Sequence, residues 1–210
     1  MATVTSWSIV MKLLFFSLTL ALVAPLAACT SNTSVASNIT QSPTTQVSAA
    51  PKSTPVSVTQ DWYNYTAKDG TYTAKFPRQP KEQDNSSNTK LGEIKFVQVM
   101  YEDKAKEQLY LTQSNKYPID PSQVNAEKVL DNVRDGYTKN SRKLISEKKI
   151  SRNGFPGREL VIQDKNKLVM KSQIFVNTAG PTMHLVMVGA GDGNVDFPEA
   201  QTFLDSFMPK

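Results

Sequence analysis

The chain has 210 residues with 24 basic and 19 acidic side chains, a formal net charge of +5, one cysteine and one histidine. A single cysteine excludes an intramolecular disulfide, and a single histidine excludes zinc sites built from several histidines. The composition therefore excludes a disulfide-stapled domain and the common zinc hydrolases. Cys29 is left to serve another purpose.

The first 28 residues have the pattern of a signal peptide for export. Lys12 supplies a positive charge, residues 13–23 form a short apolar run, and small residues precede Cys29. The run is shorter than the roughly 20 residues that a membrane-spanning helix needs. A cleaved signal is therefore predicted rather than a transmembrane segment.

Cys29 is predicted to carry a lipid. Leu26-Ala27-Ala28-Cys29 resembles the lipobox of bacterial lipoproteins, and this resemblance implies that the Cys29 thiol receives a diacylglycerol. Each buried methylene contributes about 0.8 kcal/mol, so two or three acyl chains hold a protein on a membrane. The alternative is an ordinary secreted protein with an unmodified cysteine. The predicted location is a membrane surface that faces the periplasm, the cell exterior or a thylakoid lumen.

Residues 29–60 are predicted to form a tether. Between Thr30 and Gln60 the segment is rich in Ser, Thr, Val and Pro, carries Lys52 as its single charge and contains no aromatic residue. Such a segment cannot bury enough apolar surface to offset the entropy of ordering, so disorder is predicted. The rest of the chain, residues 61–210, has the length of one domain.

Alternating apolar residues predict strands in this domain. Tyr63 and Tyr65 mark the first strand, residues 72–76 the second, and Lys68-Asp69-Gly70 a hairpin turn between them. A third strand is predicted over residues 94–101, with a bulge where the apolar residues change parity at Phe96 and Val97. Further strands are predicted at residues 109–111, around Ile150, and over residues 158–163, 168–177 and 182–188.

Two helices are predicted, one between the strands and one at the end. The first follows Pro121 and has an apolar face made of Val124, Leu130, Val133 and Tyr137. The second begins near Pro198 and has an apolar stripe made of Ala200, Phe203, Leu204 and Phe207. Strands joined by short turns, with only two helices, predict an α+β domain, an antiparallel β-sheet covered by helices.

Three segments of the domain resemble PsbP-like domains and occur in the same order. They are residues 70–77 (Gly-Thr-Tyr-Thr-Ala-Lys-Phe-Pro), 154–159 (Gly-Phe-Pro-Gly-Arg-Glu) and 203–207 (Phe-Leu-Asp-Ser-Phe). The resemblance covers residues 61–210 and implies an α/β/α sandwich, found in extrinsic proteins of photosystem II and in many bacterial lipoproteins. Photosystem-associated members continue into a Gly-Trp pair, whereas residues 78–81 here are Arg-Gln-Pro-Lys. The broader branch of the family therefore fits better.

Candidates for catalysis and metal binding are few. His184 lies in an apolar strand and is predicted to be a strand-face residue, and no Gly-x-Ser-x-Gly nucleophile elbow occurs. Residues 188–193 lack the third glycine of a dinucleotide loop and are predicted to form a strand-to-helix turn. Glu102-Asp103 and the pair Asp192 and Asp196 are candidates for calcium, but solvated turn acids are the favoured interpretation. No metal and no cofactor is predicted.

Positive charge is concentrated between Lys139 and Lys171, a segment with ten basic and three acidic residues. Six of its cations surround the predicted junction of helix and strand. We predict that they bind anionic lipid headgroups or an acidic protein partner; they are Lys139, Arg142, Lys143, Lys148, Lys149 and Arg152. The alternative is a solvated strand whose charges keep the sheet soluble. No nucleic acid partner is expected for an exported protein.

These patterns together predict a lipid-anchored, non-enzymatic accessory or scaffold domain. Its expected partner is a membrane or envelope protein complex, and a photosystem is one such complex. The alternative is a metal- or small-ligand-binding lipoprotein. An unrecognised hydrolase is a third class, for which the sequence names no catalytic side chain.

Overall fold

The computed structural model describes residues 61–89, 92–139 and 142–210. The signal peptide, the lipidated Cys29 and the tether predicted for residues 1–60 lie outside these described residues. Within the described ranges, no helix is long and apolar enough to cross a membrane.

The described residues form two antiparallel sheets. The small sheet has the order β1-β2-β10 and consists of β1 (Tyr63–Thr66), β2 (Tyr72–Phe76) and β10 (Met208–Pro209). The large sheet has the order β3-β4-β5-β9-β8-β7-β6. Its strands are β3 (Lys81–Thr89), β4 (Gly92–Asp103), β5 (Gln108–Lys116), β6 (Lys143–Arg152), β7 (Phe155–Gln163), β8 (Val169–Asn177) and β9 (Thr182–Ala190).

The β1–β2 hairpin is confirmed with its turn at the predicted place. Tyr63 pairs with Phe76 and Thr66 with Thr73. Gly70 has φ +73°, a conformation that side chains disfavour, and its N–H donates to the carbonyl of Ala67 at 2.8 Å. The Asp69 carboxylate accepts from the Thr71 N–H at 3.1 Å and so fixes the return of the chain.

Two helices lie on opposite faces of the large sheet. Helix α1 (Ala126–Tyr137) follows a 3-10 turn at Pro121–Gln123, and its N-cap Asn125 accepts from the Lys128 N–H at 3.0 Å. Helix α2 (Pro198–Ser206) begins with proline, whose missing N–H costs nothing in the first turn. We name the two faces of the large sheet the α1 face and the α2 face.

Each face has its own apolar core. On the α1 face, Leu130 and Val133 of helix α1 are 1% exposed and pack with residues such as Leu160 and Ile162 of β7. On the α2 face, the core is aromatic. Phe203 of helix α2 lies 5.0 Å from Phe76 and 5.3 Å from Tyr110, measured between ring centroids. The small sheet and helix α2 close this face together.

The predicted α+β class, an antiparallel β-sheet covered by helices, is confirmed. Sequence patterns missed β3 and β10, and they did not indicate that β1 and β2 belong to a separate sheet. The bulge expected in the third strand is wrong, because β4 pairs with β3 and β5 without a register shift. Its apolar residues change parity because both faces are covered: Ile94 and Val99, on opposite faces, are 4% and 0% exposed. The register shift in this sheet occurs instead between Leu144 and Ser146 of β6.

Candidate functional site

The six cations predicted to form one binding surface lie in different environments. They lie at the end of helix α1 and along the edge strand β6, where successive side chains alternate between the two faces of the sheet. Their contacts divide them into cations that are used inside the domain and cations that are not. One continuous surface built from all six is therefore not what the fold provides.

Arg152 is used inside the domain. Its guanidinium donates to the carbonyl oxygens of Leu204 and Phe207, the latter at 3.1 Å, and lies 5.2 Å from the ring centroid of Phe175. These carbonyls belong to the end of helix α2, where unpaired acceptors and the helix dipole favour a cation. Burial lowers the pKa of Arg152, with Asp205 opposing the effect. Arg152 thus caps helix α2.

Lys149 is paired on the α1 face. Its ammonium lies 3.0 Å from a carboxylate oxygen of Glu127 in helix α1. The same oxygen contacts Arg158 of β7 at 3.0 Å, and Arg158 also pairs with Asp131 at 2.6 Å and with Glu147. Lys149 belongs to this ion cluster, which attaches helix α1 to β6 and β7.

Lys139, Lys143 and Lys148 are exposed and lie within 4.0 Å of no carboxylate in the described part of the chain. Lys143 and Lys148 stand opposite Gln163 and Glu159, so they point to the α2 side of the edge strand. Between them, at the register shift, Ile145 is 51% exposed. Lys139 lies just after the end of helix α1. We call Lys143, Ile145 and Lys148 of β6, together with Lys139, the basic edge.

Arg142 differs from all of these. It lines a groove on the α1 face together with Tyr137 and residues of β4 and β5. It makes no ion pair among the described residues.

His184 is buried in β9, as the strand-face prediction requires, with 1% exposure. Its ring centroid lies 6.2–6.3 Å from the rings of Tyr72, Phe155 and Phe207. Burial lowers its pKa from 6.5 to about 4, so the imidazole is neutral near pH 7.

The Ser114 hydroxyl lies 3.2 Å from Nδ1 of His184, a contact that the sequence did not predict. Nε2 is buried and has no hydrogen-bond partner in the described structure. A Ser-His-Asp triad instead needs a carboxylate on the second imidazole nitrogen. A buried acceptor without a partner costs less than a buried N–H without one, so the proton is assigned to Nδ1, which donates to Ser114, and Nε2 is the unpaired acceptor. From there hydroxyl contacts continue through Thr71 at 3.4 Å to the Asp69 carboxylate at 2.7 Å. The arrangement fastens the small sheet to the large one.

The remaining candidates have local structural roles. Asp103 accepts from the backbone N–H groups of Ala105 and Lys106, Asp192 accepts from Asn194, and Asp196 pairs with Lys171 at 2.8 Å. No group of three metal-binding side chains occurs within the described residues. Residues 191–193 form the predicted turn after β9, and β9 pairs antiparallel with β5 and β8, which a dinucleotide fold would not allow.

No family model and no curated protein matches this chain. Among solved structures, the chain is similar to cyanobacterial PsbP (CyanoP) from Synechocystis sp. PCC 6803, with a TM-score of 0.47 and 13% identity over 76% of this chain and 98% of that one. It is also similar to PA94, a protein of unknown function from Pseudomonas aeruginosa, with a TM-score of 0.31 and 12% identity over 64% of this chain and 85% of that one. Neither match assigns an activity or a partner to this chain. Membership of the PsbP-like family stays a prediction from the three sequence segments.

Proposed function

We propose that this chain is a lipid-anchored, non-enzymatic accessory domain that binds an acidic surface of a membrane or envelope protein complex through the basic edge. The observation that carries the proposal is the division among neighbouring cations. Arg152, Lys149 and Arg158 make hydrogen bonds or ion pairs within the domain. Lys139, Lys143 and Lys148 are exposed and make no ion pair with the described residues.

Unpaired surface ammonium groups contribute little to folding, but they act at a distance on an approaching partner. Charge complementarity raises association rates and selects partners more than it raises affinity. Ile145 lies between Lys143 and Lys148 along β6, is 51% exposed and would supply an apolar contact beside these two lysines. The competing explanation is that the lysines only prevent edge-to-edge pairing of β6.

The non-enzymatic part of the proposal is supported by the surroundings of His184. A general base that works near neutral pH needs a pKa close to 7 and access to substrate. His184 has a pKa of about 4 and is 1% exposed among aromatic rings. The lipid on Cys29 and a flexible tether to residue 60, with a mean end-to-end distance of roughly 30 Å, would keep the domain near the membrane. The PsbP-like segments make a photosystem one candidate for the partner complex.

The proposal is tested by cross-linking the tagged chain in its native membranes and identifying the captured proteins. A variant with Lys139, Lys143 and Lys148 changed to Glu is compared with a control in which Lys81, Lys104 and Lys210, also exposed, are changed to Glu. Both variants change the net charge equally. We expect one membrane complex to be captured by the wild type and by the control, and to be lost with the first variant.

Equal loss with both triple variants would show a general effect of net charge and would overturn the basic edge as the interface. Capture that persists in both would leave solubility of β6 as the role of the lysines. A Cys29→Ser chain tests the anchor separately, because it should leave the membrane fraction while its domain stays folded.

A further inference from the structure

A groove on the α1 face is built differently from the rest of that face. Helix α1 packs on β7 and β8, and the groove opens beside its C-terminal end, over strands β3, β4, β5 and β9. It has a volume of about 70 Å³. Its apolar walls are formed by Ile94, Phe96, Leu111, Leu185 and Met187.

The floor of the groove is a row of buried carboxamides. Gln98, Gln113 and Asn115 are 4%, 7% and 3% exposed. Gln98 donates to Gln113 at 2.9 Å, and Gln113 donates to Asn115 at 2.8 Å. Buried polar side chains in a sheet are costly unless they are paired, and these three pair across β4 and β5.

The direction of this row is fixed at its outer end. Asn85 of β3 donates through the same nitrogen to the backbone oxygen of Gln83 and to Gln98, both at 3.0 Å. A backbone carbonyl can only accept, so the amide nitrogen of Asn85 must face it, and each following amide is oriented in turn. At the inner end the Asn115 oxygen accepts from Gln113. Each of Gln98, Gln113 and Asn115 therefore keeps at least one N–H that the row does not use.

The rim of the groove adds a cation and two hydroxyl groups. Arg142, Tyr117 and Tyr137 line it. Burial raises the pKa of Tyr137 to about 12, and the positive charge of Arg142 opposes this rise. Arg142 has no carboxylate partner among the described residues. Apolar walls, spare N–H groups and an unpaired guanidinium suit an anion with an apolar body.

We propose that the groove binds a small carboxylic acid with an aromatic or acyl body, its carboxylate held by Arg142 and by the N–H groups of the amide row. A volume of about 70 Å³ holds the carboxylate and the first carbons behind it, so a longer body extends from the groove along the apolar walls. This inference is independent of the basic edge. Arg142 serves the groove, whereas Lys139, Lys143 and Lys148 serve the proposed protein partner.

The test is titration of the full ¹⁵N-labelled chain with octanoate and with benzoate, read from the side-chain amide resonances of Gln98, Gln113 and Asn115. Octanol and octylammonium serve as neutral and cationic probes with the same chain length as octanoate. We expect the carboxylates to shift these resonances at millimolar concentration, and octanol and octylammonium to bind at least about tenfold more weakly.

Arg142→Gln should weaken octanoate binding by about tenfold or more while the amide resonances of the row stay in place. Arg78→Gln removes the same charge at an exposed position away from the groove and should leave the affinity unchanged. Equal weakening by both variants, equal binding of octylammonium, or no response of the row to either carboxylate would overturn the proposal. Because the readout is a set of groove resonances, failure here leaves the cross-linking result unaffected.

Discussion

The two faces of the large sheet satisfy their polar side chains in different ways. On the α2 face, polar groups lie among aromatic rings: His184 contacts Ser114, and Arg152 donates to backbone carbonyls over the ring of Phe175. On the α1 face, polar groups form networks, one around Arg158 and one along the amide row. The polar groups of the α2 face attach helix α2 and the small sheet to the large sheet. The open face keeps unused N–H groups, and for this reason we place ligand binding there.

Tight packing of the α2 face is tested by Gly157→Ala, for which we expect the largest effect. A methyl group on Gly157 would overlap the carbonyl oxygen of Ile174 and lie 2.7 Å from Cδ1 of Phe175. Backbone cannot move aside as a flexible side chain can, so the free energy of unfolding should fall by about 3 kcal/mol or more. Urea denaturation followed by circular dichroism measures the change.

Gly189→Ala is the matched control on the α1 face. Its added methyl group would have its nearest neighbour, Cβ of Leu109, at 3.6 Å, an ordinary contact. We expect a change within about 1 kcal/mol, because the lost flexibility of the unfolded chain offsets small adjustments. Similar losses at both glycines would contradict the proposed difference in packing between the faces.

The enclosed histidine predicts a stability that depends on pH. The folded-state pKa of His184 is about 4, below the ordinary 6.5, so the unfolded chain binds a proton that the folded chain refuses. Above pH 6.5 the neutral imidazole causes no loss of stability. As the pH falls below 6.5 the free energy of unfolding decreases, and the loss reaches about 3 kcal/mol at pH 4. In His184→Phe, whose ring suits the aromatic surroundings, the decline between pH 6.5 and 4 should be smaller. Equal pH profiles for wild type and variant would refute the assignment.

For the ion network on the α1 face, the effect of a mutation should become smaller in acid, whereas the effect of His184→Phe appears only in acid. Arg158→Met leaves the carboxylates of Glu127, Asp131 and Glu147 close together without their shared cation. The carboxylates are partly exposed, so we expect a loss of about 2 kcal/mol at pH 7, less than for a fully buried pair. Lys149 and Arg158 lower the pKa of Glu127, so its pairing is present at neutral pH and lost in acid. The difference between wild type and Arg158→Met should therefore shrink below about pH 4, and a constant difference would contradict an electrostatic origin.

Sequence patterns predicted the elements whose side chains alternate or form a helical stripe, and they missed those without such a pattern. Strand β3 contains only polar residues and exists because it pairs with β4 along its whole length. The three PsbP-like segments meet on the α2 face. Phe76 of the first lies 5.0 Å from Phe203 of the third, and Phe155 of the second and Phe207 of the third lie 6.3 and 6.2 Å from the His184 ring. The residues that carry the resemblance therefore pack the core, and they do not indicate a binding site.

The candidate sites were harder to predict, because their meaning depends on tertiary pairing. Gln98, Gln113 and Asn115 are typical surface residues in sequence, and only the register of β4 with β5 places them in one row. The cations were found by composition, but adjacent residues of an edge strand face opposite sides. Sequence alone could not tell that Lys149 meets Glu127 while Lys148 does not.

The smallest expected effect separates these two neighbours. Lys149→Gln removes an ion pair in which the lysine side chain is 73% exposed, and screening by solvent makes such pairs weak. We expect a decrease in Tm of about 1 °C for Lys149→Gln and none for Lys148→Gln. Differential scanning calorimetry at low and high salt measures both, and salt should abolish the difference.

The order reverses for capture of the partner complex, where Lys148→Gln should reduce cross-linking and Lys149→Gln should not. If instead the two variants lower Tm and capture equally, β6 acts as one solvated strand and its two sides have no separate roles.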